Sequence, residues 1–189
     1  MSTAGAPAGR PVAEREGPVA RKDRTGSTGV GVARFLLRTA VGGTMIAHGV
    51  KHGRTLKGTA GWFGSIGFKQ PMLQARTSAV VEIGSGAALV AGAATPLAAS
   101  AVVGTLAVAA RSVHIPNGFW ITSEGWEYVA NLSVASVALA ALGPGGWSVD
   151  RALGTDRFSG PRAALFAAGL GIGGAAAQLA TFWRKPVAA

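Results

Sequence analysis

The sequence predicts an all-α integral membrane protein: a four-helix transmembrane bundle with a fifth, C-terminal transmembrane helix. Three observations predict it. Charged residues make up only 14% of the 189 residues, against roughly 25% in soluble domains, so too little charge remains to face water on every side. The apolar stretches are long and nearly uncharged, each close to the roughly 20 residues needed to cross the hydrocarbon layer. The chain holds 29 glycines, a density that suits close helix packing in lipid.

Residues 1–29 read as a disordered basic tail, rich in Gly, Pro and Ala, with Arg10, Arg15, Arg21, Lys22 and Arg24. Nothing in it can build a core. It has no cleavage-site pattern after a short apolar run, so the first apolar segment reads as a retained helix. That helix spans about residues 30–50. Residues 51–76 form a basic connector with interleaved Trp62, Phe63 and Phe68. This mixture favours the headgroup layer, as an interfacial cap on the bundle.

Residues 77–115 are too long for one span and break at Thr95-Pro96, giving helices over 77–95 and 96–115. Proline ends one helix and suits the first turn of the next. A turn-rich aromatic link over 116–125 leads to a fourth helix over about 126–142, stopped by Gly143-Pro144-Gly145-Gly146. A polar connector reaches Arg162, and a fifth apolar run covers 163–183 before Arg184 and Lys185. Gly84, Ala88 and Gly92 recur every fourth residue, as do Gly169 and Gly173, which predicts small-residue faces for close helix packing.

Alternating helix direction places the ionisable residues by depth. His48, Lys51, Glu82, Arg111, His114 and Glu127 all fall in one leaflet and its interface. Charges in lipid are costly and pair inside the bundle, so Glu82, the deepest, is expected to meet Arg111, His48 or His114. Static pairing or snorkelling near helix ends is the bland account of this group. The functional account is a small polar pocket for a quinone-like headgroup, a proton or another small polar ligand. In it Glu82 accepts a proton, Arg111 is its counter-ion, and His48 and His114 donate to a ligand carbonyl.

Arg34 and Arg38 share a helix face in the opposite leaflet, since the 14 residues from Arg34 to His48 rise roughly 21 Å. Arg34 reads as a headgroup anchor. Arg38, a turn deeper, calls for a carboxylate, a helix C-terminus or a lipid phosphate. His48 and His52 at i, i+4 fall short of a metal site, which needs three or four ligands, so no metal is expected.

The net charge of +10 is divided among the tail, loops and helix ends, which argues against nucleic acid and for membrane lipid as the partner. With no cysteine, thiol catalysis, disulfides and Cys-ligated clusters are excluded. The basic tail favours a cytoplasmic N-terminus.

Several pieces, in order, resemble the DoxX family of small bacterial membrane proteins. They are Arg34 and Arg38, His48-Gly49-Val50-Lys51, Trp62-Phe63-Gly64-Ser65-Ile66-Gly67-Phe68, and Glu82 with Gly84 and Gly86. Gly92-Ala93-Ala94-Thr95-Pro96, His114-Ile115-Pro116-Asn117-Gly118-Phe119-Trp120, Glu124-Gly125-Trp126-Glu127-Tyr128 and Gly143-Pro144-Gly145-Gly146-Trp147-Ser148-Val149-Asp150 continue the match. The resemblance implies a four-helix membrane domain over 30–153, with 154–189 as a connector and additional helix. It also implies a bacterial plasma-membrane protein acting as an accessory or quinone-interacting subunit of an oxidoreductase or oxidative-stress assembly, alongside other membrane subunits. The alternative is a non-catalytic module that docks partner proteins through Gly84, Ala88, Gly92, Gly169 and Gly173.

Overall fold

A computed structural model describes residues 24–186, with side chains from Thr28 onward. Among the described residues seven α-helices run in order: α1 (Arg24–Arg54), α2 (Leu56–Ser65), α3 (Pro71–Ala91), α4 (Thr95–Ala109), α5 (Glu127–Leu142), α6 (Val149–Ala152) and α7 (Pro161–Phe182). Among the described residues the only strand-like pairing is an isolated bridge between Phe68 and Trp183.

Several boundaries differ from the sequence expectation. The helix expected to reach residue 95 ends at Ala91, where Gly92 takes the left-handed cap, and the one expected to reach 115 is α-helical only to Ala109. Helix α1 starts at Arg24, so residues 24–29 are helical rather than tail; residues 1–23 lie outside the described residues. The connector over 51–76 is also largely helical. It contains the end of α1, all of α2 and the start of α3, which begins at Pro71. Pro71 needs no amide partner in a first helical turn and presets the helical φ.

Helix α4 is the hub, packing against α3, α5 and α7, while α1 packs chiefly on α3. One apolar cluster joins Val41 and Met45 of α1, Leu89 of α3, Val102 and Leu106 of α4, Leu139 of α5, and Ala163 and Ala167 of α7. A second joins Ala60 and Phe63 of α2, Phe68, Val108 of α4, Ala175 of α7 and Trp183. Helix α7 is therefore a full member of the bundle, with its inward edge made by Ala163, Ala167, Gly171 and Ala175.

The outer surface is apolar. Leu36 of α1, Val80 of α3, Leu97 of α4, Val134 of α5 and Leu165 of α7 all point outward, Leu165 at 74% exposure. An apolar belt contributed by every long helix is a surface solvated by acyl chains. Thr28–Arg54, Thr95–Asn117 and Pro161–Phe182 are long and apolar enough to cross a membrane, and α5 is a shorter apolar helix. Helix α3 has the length, 21 residues, but carries Arg76 and Glu82.

The closest helix contacts are made by glycines. A Cβ on Gly86 of α3 would lie 2.5 Å from the Gly42 carbonyl oxygen of α1, and one on Gly42 the same distance from the Gly86 carbonyl. Gly49 likewise lies against Ala79, Glu82 and Ile83. Gly104 of α4 and Gly171 of α7 make the corresponding contact. The sequence-predicted stripes behave differently. Gly84, Gly169 and Gly173 meet nothing within 4 Å, so they face outward, while Ala88 packs beside the first cluster. Gly92 is no packing position on a helix face; it is the left-handed cap of α3, and Arg38 and Ser148 fill the space a Cβ would need.

The bundle's two ends are each stitched by a polar loop. At one end the turn after α2 pairs with the end of α7: the Lys69 amide donates to Phe182, and the Arg184 amide to Gly67. At the other, Asp150 of α6 grips the α3–α4 turn. Its carboxylate accepts from the amides of Ala94 (2.8 Å) and Thr95 (3.0 Å) and from the Thr95 and Thr155 hydroxyls. Ala94 is left-handed, with φ 44°, a conformation that costs an L-residue roughly 1–2 kcal/mol. The Asp150 clamp holds it there.

Candidate functional site

Close approach of α1 and α3 at Gly49 brings Glu82 beside His52. Glu82 is 4% exposed. Its Oε1 accepts from the Ser78 hydroxyl at 2.5 Å and lies 3.3 Å from His52 Nδ1. His52 Nδ1 is also 2.9 Å from Ser78 Oγ. Since the Ser78 proton is committed to Glu82, the Ser78 oxygen can only accept from His52. That places a proton on Nδ1. Glu82 Oε2 is buried and has no partner among the described residues.

Two adjoining cavities meet at this pair. The larger, about 600 Å3, lies between α1, α4 and α5 and is walled by His48, Lys51, Glu82, His114 and Tyr128. The smaller, about 120 Å3, lies toward α7 and is walled by Ser78, Glu82, Gln74 and Gln178. His52, Trp62, Thr105 and Ala109 line both. Gln178 donates to the Gln74 side-chain oxygen at 2.9 Å, closing the far side.

Across the larger cavity, His48 Nε2 and the Tyr128 hydroxyl stand 3.3 Å apart, with their rings stacked. His114 Nδ1 donates to the Glu124 carbonyl at 2.6 Å, which leaves its Nε2 free of that bond. Among the described residues no group of three His, Cys, Asp or Glu side chains is arranged to hold a metal.

Four of the six residues grouped by depth, His48, Lys51, Glu82 and His114, therefore share one cavity. The other two do not line it. Glu127 Oε2 turns back to accept from the Ile121 amide. Arg111 is not the counter-ion of Glu82. Its guanidinium lies 4.8 Å over the Trp183 ring. The reason is facing rather than depth. The side of α4 that looks toward Glu82 carries Thr105 and Ala109, continued by Val113 beyond its end, and Arg111 projects elsewhere, toward the end of α7. From Ala110 to His114 the helix also widens into a π-turn, where α-helical spacing no longer predicts direction.

The other pair of helix-1 residues occupies the opposite end. Arg38 is 2% exposed and donates to the carbonyls of Pro144 (2.5 Å) and Trp147 (2.7 Å). These carbonyls lie just past the C-terminus of α5, where the helix dipole favours a cation. Arg34 lies one turn earlier, against Gly145.

Residues 33–115 match the DoxX family model. The chain carries a DoxX-family domain. No curated protein and no solved structure matches the chain. The DoxX domain holds Arg34, Arg38, His48, His52, Glu82 and His114, but stops short of Tyr128 and Asp150. The protein is thus a multi-pass membrane protein with a DoxX core, completed by α5, α6 and α7.

In the sequence His52 is weighed only as a metal ligand, Tyr128 and Asp150 enter only as part of the family resemblance, and Ser78 not at all; none is expected in the site or clamp. Ser78 and His52 carried a signal: Ser78 and Glu82 are i, i+4 on one helix, and His52 follows His48 by one turn.

Proposed function

We propose that this protein is an accessory or quinone-interacting subunit of an oxidoreductase or oxidative-stress assembly in the bacterial plasma membrane, with its N-terminus in the cytoplasm. The observation that carries the reading is the free Oε2 of Glu82, buried at the junction of the two cavities. A buried carboxylate oxygen without a partner leaves an unmet hydrogen-bonding demand, which the hydroxyl of a reduced quinone headgroup would meet. The volume of about 600 Å3 falls in the usual range for small-molecule sites. In this reading Glu82 takes the proton, His52 and Ser78 hold the carboxylate in place, and His48, Tyr128 and His114 supply the donors opposite. Other membrane subunits deliver or remove the electrons.

The test is equilibrium titration of the purified full-length protein with a short-chain quinone analogue. Saturable binding is expected, about tenfold weaker in Glu82→Gln. Absence of saturable binding, or equal binding by the variant, overturns the reading.

A second reading, partner docking, is favoured by α7. Gly169, Gly173 and Gly174 face outward with open space beside them, the setting in which a partner helix approaches closely. Loss of a co-purifying subunit in Gly173→Leu, with quinone binding retained, supports it.

A further inference from the structure

A separate site lies at the other end of the bundle, independent of the Glu82 cavity. A pocket of about 250 Å3, open on one side, lies between the N-terminal half of α1 and the loop after α5, with Arg34, Phe35, Arg38, Gly145, Gly146 and Trp147 in its wall. It contains two arginines and no carboxylate. We propose that this pocket binds a phosphate group, of the kind carried by an anionic phospholipid headgroup.

Four observations carry the proposal. First, the positive charge has no carboxylate in contact with it; Asp150 acts on Arg38 only through space. Among the described residues the ion pairs are His52–Glu82 and Arg151–Asp156, so neither pocket arginine has a carboxylate within 4 Å. Second, the donors are unmet. Arg34 Nε and Arg38 Nε are both buried without a hydrogen-bond partner among the described residues, and a buried donor left unbonded is costly. Arg38 has spent its terminal nitrogens on Pro144 and Trp147, so it is fixed in place and lends charge, while Arg34 is free to reach an anion. Third, the walls fit an oxyanion held beside apolar chain. Gly145, with φ 82°, lets the Arg34 stem lie 3.1 Å from where a Cβ would stand, and Phe35 and Trp147 form an edge-to-face pair beside it. The volume is several times the roughly 30 Å3 one water occupies. Fourth, the level is right. The 20 residues of α1 from Arg34 to Arg54 rise roughly 30 Å, the thickness of the hydrocarbon layer, so with Arg54 at one headgroup layer Arg34 reaches the other. Planar guanidinium donors match phosphate oxygens in geometry as well as charge.

Free phosphate presents the same oxygens, and the experiment separates the two sources. The full-length protein, purified in neutral detergent and phosphate-free buffer, is titrated with phosphatidylglycerol by native mass spectrometry. Parallel titrations use a diacylglycerol of the same acyl chains and inorganic phosphate. Retained phosphatidylglycerol, no retained diacylglycerol, and about tenfold weaker lipid binding in Arg34→Gln are expected. Gly146→Glu gives a second reading that keeps Arg34. Gly146 is open, with no atom within 4 Å of a Cβ and no left-handed φ, so the variant folds, and its carboxylate repels phosphate. Binding of inorganic phosphate without retention of the phospholipid assigns the pocket to the free anion. Retention of neither ligand, or wild-type binding by both variants, overturns the proposal.

Discussion

His52 Nδ1 stands 3.3 Å from Glu82 Oε1 across the interface of α1 and α3, with Ser78 bridging the two. This contact spends Oε1 and leaves Oε2 without a partner among the described residues. Residues sharing one hydrogen-bonded network lose stability non-additively. The cycle of Glu82→Gln, His52→Ala and the double variant, measured by denaturation in detergent, is expected to give a coupling of about 1–2 kcal/mol. Additive losses would mean that the pair does not act as a unit.

Arg38 holds the loop after α5 through two carbonyls, Pro144 and Trp147. A single ammonium cannot reproduce the planar fork that reaches both. Arg38→Lys is expected to destabilise the protein by about 2 kcal/mol, with proteolysis appearing first between residues 143 and 148. Unchanged thermal stability and an intact loop would contradict this role.

Asp150 predicts how the clamp responds to acid. Burial pushes its carboxyl pKa up, but the Thr95 and Ala94 amides and the Thr95 and Thr155 hydroxyls outweigh that, holding it below its usual 3.8. A folded pKa below the unfolded one means stability that is fully present above the unfolded value and lost as pH falls through the folded one. Denaturation in detergent should therefore show a loss setting in below about pH 4 that Asp150→Asn no longer displays. At neutral pH the same substitution is expected to cost about 3 kcal/mol.

Glycines of the same sequence pattern should differ sharply on substitution. Gly86→Val drives a side chain into the Gly42 carbonyl, 2.5 Å from the first added carbon, and is expected to cost about 3 kcal/mol or prevent folding. Gly173→Ala adds a methyl into open space and should leave stability equal or slightly raised. Equal tolerance at both positions, read by thermal unfolding, would contradict the close α1–α3 contact.

The membrane bundle was legible because long uncharged runs admit few solutions, and the Thr95-Pro96 and Gly143-Pro144 breaks mark real helix ends. Depth was legible too: His48, Lys51, Glu82 and His114 line one cavity, having been grouped by their place in each span. Facing was not. Which side of α4 meets Glu82 depends on where α7 and Trp183 dock, and the π-turn at Ala110–His114 disrupts spacing at Arg111. The outward and inward glycines of α7 differ by two residues, Gly169 against Gly171. Both fit a period of four, and only the docking of α4 distinguishes them. Asp150 reads as a solvated loop charge because its partners, Ala94 and Thr95, lie more than fifty residues away.

Glu82 and its neighbours are proposed to take a quinone headgroup into the cleft between α1, α4 and α5. An experimental structure in lipid nanodiscs with a bound quinone analogue tests it most directly. Headgroup density is expected between His48, Glu82 and His114, with one headgroup oxygen in hydrogen-bonding reach of Glu82 Oε2. Analogue bound only on the lipid-facing surface, or Glu82 turned out toward the acyl chains, would contradict it.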